Sequence, residues 1–339
     1  MTRPCIGFLG VGWIGRHRMQ AILATGAVEA AAIADPSPEM RAEAQRLAPE
    51  AKQVGGLEEM LGLGLDGVVI ATPSALHAAQ TIQALQAGAA VFCQKPLGRT
   101  AVEVRDAVDA ARRADRLLGV DLSYRFTEGM RRIRQAMAEG ELGRIYAADL
   151  VFHNAYGPDK PWFRDPALSG GGCVMDLGVH LVDLALWALD FPAVAGVSGQ
   201  LFSGGEPLAG RTDRVEDYAV ATIELQGGAV LRLACSWNLH AGQDAVIAAE
   251  FHGTQGGAAL RNQNGSFYDF TAERFQGTAR EVLAVPPDEW GGRAAADWAM
   301  RLASCERFDP SAAALVTVAE VLDRIYGREV RPDLTPGRG

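Results

Sequence analysis

Gly10-Val11-Gly12-Trp13-Ile14-Gly15 sits directly after the apolar run at residues 5–9 and opens a helical pattern at residues 14–25. In this setting each glycine has a physical task. Gly10 makes the tight turn out of a strand, Gly12 lets backbone approach a pyrophosphate, and Gly15 lets the helix pack close to the sheet. The backbone of Trp13 and Ile14 begins that helix, whose N–H groups and positive dipole end attract phosphate. Asp35 lies twenty residues past Gly15, at the end of the next strand-like run. An acid there accepts hydrogen bonds from a ribose 2′-hydroxyl and repels a 2′-phosphate. A dinucleotide is therefore expected, with NAD preferred and NADP possible beside Arg41.

Outward from this motif, residues 1–122 alternate short apolar runs with longer helix-favouring segments. The runs are 5–9, 30–34, 67–71, 90–93 and 117–120; the helical patterns are 14–25, 38–47, 75–87 and 101–114. Short Val- and Ile-rich strands each followed by a helix imply parallel strands with right-handed crossovers, and so an α/β doubly wound sheet. After residue 122 the texture changes. Strand-like runs at 145–153, 194–202, 218–225, 229–237, 246–252 and 257–261 mostly follow one another across short turns. This predicts an α+β domain over 123–339 with a large open, mainly antiparallel sheet. Helices are expected at 128–139, 174–189, 294–305 and 312–326, the last two packing back on the first domain.

The chain has 339 residues and a formal net charge of −9. The length suits two domains, and the acidic balance disfavours nucleic acid as a partner. The glycine-broken N-terminus is neither a signal peptide nor a membrane span. Five unclustered cysteines read as buried thiols in a reducing, cytoplasmic setting, and no Cys/His spacing suits a metal.

Further motifs carry a resemblance. Ala71-Thr72-Pro73 with His77, Gln94-Lys95-Pro96, Ser123-Tyr124-Arg125-Phe126 and Asp176-Leu177-Gly178-Val179-His180 followed by Asp183 resemble segments of the Gfo/Idh/MocA oxidoreductases, the glucose–fructose oxidoreductase and inositol dehydrogenase group. The resemblance covers nearly the whole chain. It implies a nicotinamide-dependent dehydrogenase of a sugar, inositol or related polyol. Lys95, Asp176 and His180 would be the catalytic set, and Ala71, Thr72, Pro73, His77, Gln94 and Lys95 would join the glycine loop and Asp35 around the cofactor. Gln94 stands where that family usually has Glu, and Ser123 where Asn is common. Glutamine removes a negative charge beside Lys95, which should lower the lysine pKa and let it share proton handling with His180.

The chemistry agrees with these residue types. Oxidising an alcohol without a metal needs a cation for the developing alkoxide, here Lys95, and a base near neutrality, here His180. Asp176, His180 and Asp183 are spaced i, i+4 and i+7 on an otherwise apolar helix, so they should line one polar wall of a buried element. The glycines at 170–172 are read as room for backbone to approach a ligand, against an equal expectation of a flexible loop. For a hydroxyl-rich substrate, Arg125, His153, Lys160 and Trp162 are candidate contacts alongside Lys95, Asp176 and His180. A homodimer or homotetramer through the open sheet is expected. The competing expectation is a non-catalytic, nicotinamide-sensing regulator on the same fold.

Overall fold

A computed structural model of the chain describes residues 3–211 and 213–328. The end of the range assigned to the second domain, 329–339, lies outside the described residues. The N-terminal half forms a six-stranded parallel sheet from β1 (Cys5–Leu9), β2 (Glu29–Ala34), β3 (Lys52–Gln53), β4 (Gly67–Ile70), β5 (Ala90–Cys93) and β6 (Leu118–Val120), in the order β3-β2-β1-β4-β5-β6. β4 and β5 are buried along their whole length, as expected of strands covered on both faces. The intervening helices are α1 (Trp13–Ala24), α2 (Pro38–Leu47), α3 (Leu57–Leu61), α4 (Ser74–Gln86) and α5 (Ala101–Ala114). β3 and α3 were not anticipated: β3 is two exposed polar residues, too short to carry a period.

The second half contributes α6 (Glu128–Ala138), β7 (Ile145–Asn154), α7 (Pro166–Ser169), α8 (Val179–Ala188), β8 (Val194–Ser203), β9 (Glu206–Pro207), β10 (Tyr218–Leu225), β11 (Val230–Ser236), β12 (Ala245–Gly253), β13 (Gly257–Asn262), β14 (Phe270–Gln276) and β15 (Ala279–Ala284). These strands form one nine-stranded sheet, β15-β14-β13-β12-β7-β11-β10-β8-β9. It is antiparallel except at its centre, where β7 and β11 run parallel, Leu150 opposite Leu233. The long excursion between them supplies the crossover that a parallel pair requires. α6 and α8 cover one face, with Met130, Ile133, Leu181, Val182 and Leu186 in a shared core with Phe152, Leu233 and Phe251. The edge strand β15 and its neighbour β14 escaped sequence reading.

Two further helices, α9 (Arg293–Ala303) and α10 (Ala313–Ile325), end the described chain. Trp298 of α9 packs against Phe92 of β5 at 5.9 Å between ring centroids. Gly67 and Gly119 make room for it, since a Cβ on either would come within 2.9 Å of the indole.

The helix expected at 174–189 is interrupted. Residues Val174–Gly178 form a π-helical turn, and the α-helix proper starts at Val179. Of the cysteines, Cys93, Cys173 and Cys235 are buried, but Cys5 is half-buried and Cys305 exposed, which corrects the expectation that all five are buried. Among the described residues one stretch, Pro166–Ala188, is long and apolar enough to cross a membrane, and its most apolar window is 83% buried inside the fold.

Candidate active site

The strand order reverses direction between β1 and β4, and a crevice at such a point opens beyond the carboxyl ends of the strands. Gly10 follows β1 with φ +82°, and a Cβ there would lie 2.6 Å from the Ala71 carbonyl oxygen at the end of β4. A Cβ at Gly15 would meet the Gly10 carbonyl oxygen at 2.2 Å, whereas one at Gly12 would meet nothing within 4 Å. α1 starts here with no side-chain cap and no acidic residue in its first turn. The loop is thus tight where it touches protein and open where a diphosphate would lie, so these residues fit a dinucleotide. Asp35 closes the loop: Val11 N–H donates to its Oδ2 at 2.8 Å and Ser37 N–H to its Oδ1 at 2.9 Å. The Arg41 guanidinium donates to the Asp35 carbonyl. Trp13 is exposed and stacks on His17.

Lys95 leaves β5 at the same edge of the sheet. Its Nζ donates to Asp176 Oδ1 and to the Asp176 carbonyl oxygen, both at 2.7 Å. Trp237 Nε1, at the end of β11, donates to Asp176 Oδ2 at 3.1 Å. The π turn carries Asp176 here, one of the settings in which such turns recur at functional sites. His180 follows on α8, its ring centroid 5.0 Å from that of Tyr124. Burial, then the Lys95 and Arg18 charges, hold the His180 pKa well below the usual histidine value. His180 Nδ1 is buried without a hydrogen-bond partner. Lys95 and Asp176 are therefore in direct contact, with His180 close enough for the Lys95 charge to act on its ring.

Other expected residues lie elsewhere or act differently. Asp183 does not join this wall: it is 1% exposed and paired with Arg125, Nε to Oδ2 at 2.7 Å. The π turn breaks the 3.6-residue period on which the i, i+7 expectation rested. Arg125, expected to contact substrate, is held by Asp183 and lies over the Phe191 ring. His153 bonds Ser236 Oγ at 2.7 Å and stacks on Tyr218, on the sheet face opposite its buried neighbour Phe152. Lys160 is exposed beside Asp159. Trp162 stacks on Phe163, which meets Trp237 edge-on, so this segment borders the site through Phe163.

His77 is buried between two backbone carbonyls. It is 1% exposed, with Nδ1 2.7 Å from the Pro96 carbonyl oxygen and Nε2 2.7 Å from that of Thr72. Gln94 is turned away from Lys95: its Nε2 donates to Asp121. Asp121, 2% exposed, also receives Arg18 Nε at 2.5 Å and the Ser123 hydroxyl. The glycines at 170–172 admit protein rather than ligand: a Cβ at Gly171 would fall 2.0 Å from Tyr326 Oη, and one at Gly172 1.8 Å from the Glu216 carbonyl oxygen. The buried Glu216 carboxylate accepts from Gly172 and Val174 N–H at 3.0 and 2.9 Å and from Tyr326 Oη at 2.8 Å, anchoring the turn that carries Asp176. Sequence reading missed Trp237, Asp121, Arg18 and Glu216. Trp237 looked like one more core aromatic, and nothing in spacing ties the other three to positions far along the chain.

Residues 5–122 match a family described as an oxidoreductase family with an NAD-binding Rossmann fold, and residues 130–259 match the GFO/IDH/MocA C-terminal domain. The 1,5-anhydro-D-fructose reductase of Ensifer adhaerens is 33% identical over 261 residues, 76% of this chain and 75% of that protein. The D-glucoside 3-dehydrogenase of Escherichia coli (strain K12) is 32% identical over 211 residues, and the match spans only 60% of that relative's length and 59% of this chain. A solved structure of levoglucosan dehydrogenase with NADH and levoglucosan superposes with a TM-score of 0.81 over 96% of this chain and 97% of that one. At 23% identity that likeness bears on the fold alone.

Proposed function

The chain belongs to the Gfo/Idh/MocA family of NAD-binding oxidoreductases, and from that premise we propose that it moves hydride between a nicotinamide and a carbinol or anomeric carbon of a sugar, inositol or related polyol. The observation that carries this is the contact of Lys95 Nζ with Asp176 Oδ1 at the carboxyl edge of the parallel sheet, beside a glycine loop open to a diphosphate. A nicotinamide, when bound, takes or returns the hydride. All other tasks fall to side chains of this protein. The Lys95 ammonium stabilises the oxygen that becomes an alkoxide, and Asp176 aims the ammonium. His180, kept neutral by burial and by two nearby cations, accepts the hydroxyl proton. Trp237 steadies the far carboxylate oxygen of Asp176. Asp35 favours NAD, with NADP tolerated beside Arg41.

The relatives named above act on glucosides and anhydrosugars, which supports a cyclic polyhydroxylated substrate. Homo-oligomerisation through the uncovered face of the nine-stranded sheet is part of the same proposal. Ser198, Gln200, Val220, Thr222 and Ala234 share that face with the Arg232–Asp149–His252 and Glu250–Arg261 ion pairs, so the expected contact is a mixed polar one, and size-exclusion chromatography with light scattering tests it. We place the enzyme in the cytoplasm. The deciding experiment is a panel of aldoses, glycosides, anhydrosugars and inositols with NAD and NADP, followed by nicotinamide absorbance. Absence of turnover on every member would overturn the proposal.

A further inference from the structure

The imidazole of His77 lies between two loops of the site. Its Nε2 is 2.7 Å from the carbonyl oxygen of Thr72, in the loop after β4 against which Gly10 packs. Its Nδ1 is 2.7 Å from the carbonyl oxygen of Pro96, the residue after Lys95. A carbonyl only accepts, so the ring acts as donor, to one loop in either neutral tautomer and to both as imidazolium. The residue is 1% exposed. Thr72 is further fixed by its own hydroxyl, which bonds Gln80 Oε1 at 2.6 Å one turn along α4 from His77. Helix α4 thus holds the cofactor loop through Gln80 and, through the His77 ring packed between them, whichever of the two loops takes its N–H.

We propose that His77 is a positioning residue for Lys95: it fastens the Lys95–Pro96 loop to the Thr72–Pro73 loop, and so sets the spacing between the ammonium and the bound nicotinamide. This rests on the function proposed above. A cation that must meet a developing alkoxide is sensitive to placement, and a displacement of about 1 Å costs on the order of 10²-fold in rate. Glutamine is the informative replacement, because it retains polarity but cannot reach two carbonyls on opposite sides of the ring.

The test is a cycle of four proteins: wild type, His77→Gln, Lys95→Ala and the double variant. Each is measured for kcat, for substrate KM and for NAD affinity by titration calorimetry. His77→Gln should lower kcat about 10- to 100-fold with NAD affinity within about threefold of wild type. In the Lys95→Ala background the same change should cost almost nothing. As a measurement independent of turnover, acylation of Lys95 by an amine-reactive ester, mapped by mass spectrometry, should change several-fold in His77→Gln. Should that variant not fold, His77→Gly is assayed with and without added imidazole, which should restore part of kcat there and none in wild type. Full additivity with Lys95→Ala, unchanged kcat, or a loss that tracks NAD affinity would overturn the proposal. A wild type that turns over no sugar or polyol would instead overturn the function, and the acylation result would still stand on its own.

Discussion

Lys95 Nζ and the Asp176 carboxylate meet at 2.7 Å across 81 residues of sequence, one from the parallel sheet's edge and the other from the π turn of the second sheet's covering helix. The same ammonium reaches the Asp176 carbonyl, so the backbone of the turn as well as its side chain is held to Lys95. Removing the cation should therefore remove transition-state stabilisation and loosen the turn. Lys95→Ala should lower kcat by roughly 10²–10³, with NAD affinity determined separately. Near-normal turnover would leave Lys95 as a structural tie only.

Asp35 should set cofactor choice. Its carboxylate is fixed by Val11 and Ser37 N–H, so it cannot swing aside without opening the glycine loop. A charged hydrogen bond contributes about 1.5–3 kcal/mol, so NAD should be preferred over NADP by at least about tenfold in kcat/KM. Asp35→Ser should erode that ratio. An unchanged ratio would make Asp35 a loop brace without a role in selection.

Arg125 should behave as a stability residue. Asp183 is buried, and burial pushes its pKa up against the pull of Arg125. Removing one member of a buried pair leaves an uncompensated charge and costs about 3–5 kcal/mol. Arg125→Met should lower the urea midpoint markedly while leaving substrate KM close to wild type. A raised KM with unaltered stability would return Arg125 to the substrate.

His180 predicts the acid side of the pH profile. Its pKa lies below 6.5 because burial, Lys95 and Arg18 all disfavour the imidazolium. A base works only when unprotonated, so kcat/KM for alcohol oxidation should hold its plateau through pH 6.5 and fall only at lower pH. A limb at or above 6.5 that disappears in His180→Gln would contradict the burial and charge assigned to this ring.

Much of this was legible in the chain, because period-2 and period-3.6 patterns report burial, and burial decides the elements. The glycine loop, Asp35, Lys95, Asp176 and His180 could be found because each sits in a local motif. What escaped is of two kinds. β3, β14 and β15 are short or polar and bury too little to leave a pattern. The partners of the site residues, Asp121 for Gln94, Glu216 for the turn at 174–178 and Pro96 for His77, are joined by the fold across about twenty to forty residues. The π turn adds one residue to a helical turn, which spacing alone does not reveal, and that is why Asp183 was placed on the wrong wall.

Gln94 decides between two accounts of the departure at this position. If it stood beside Lys95 as an uncharged neighbour, Gln94→Glu would raise the lysine pKa and move the alkaline limb of kcat/KM upward. Its amide instead donates to Asp121, which Arg18 and Ser123 also serve, and Lys95 has its carboxylate in Asp176. Gln94→Glu thus replaces a donor by an acceptor in a buried network, costing about 1–3 kcal/mol before repulsion is counted. Two carboxyls in contact cannot both ionise cheaply, so the new carboxyl takes a raised pKa in the folded protein. A raised folded pKa means that the variant keeps its proton and most of its stability below the usual carboxyl value of ~4.3, and loses stability as pH rises through the folded value. The gap in thermal midpoint between wild type and Gln94→Glu should therefore be small near pH 5 and widen towards pH 8, while the alkaline limb of kcat/KM stays where it is. A gap that does not vary with pH, together with a limb that moves upward, would restore Gln94 to the side of Lys95.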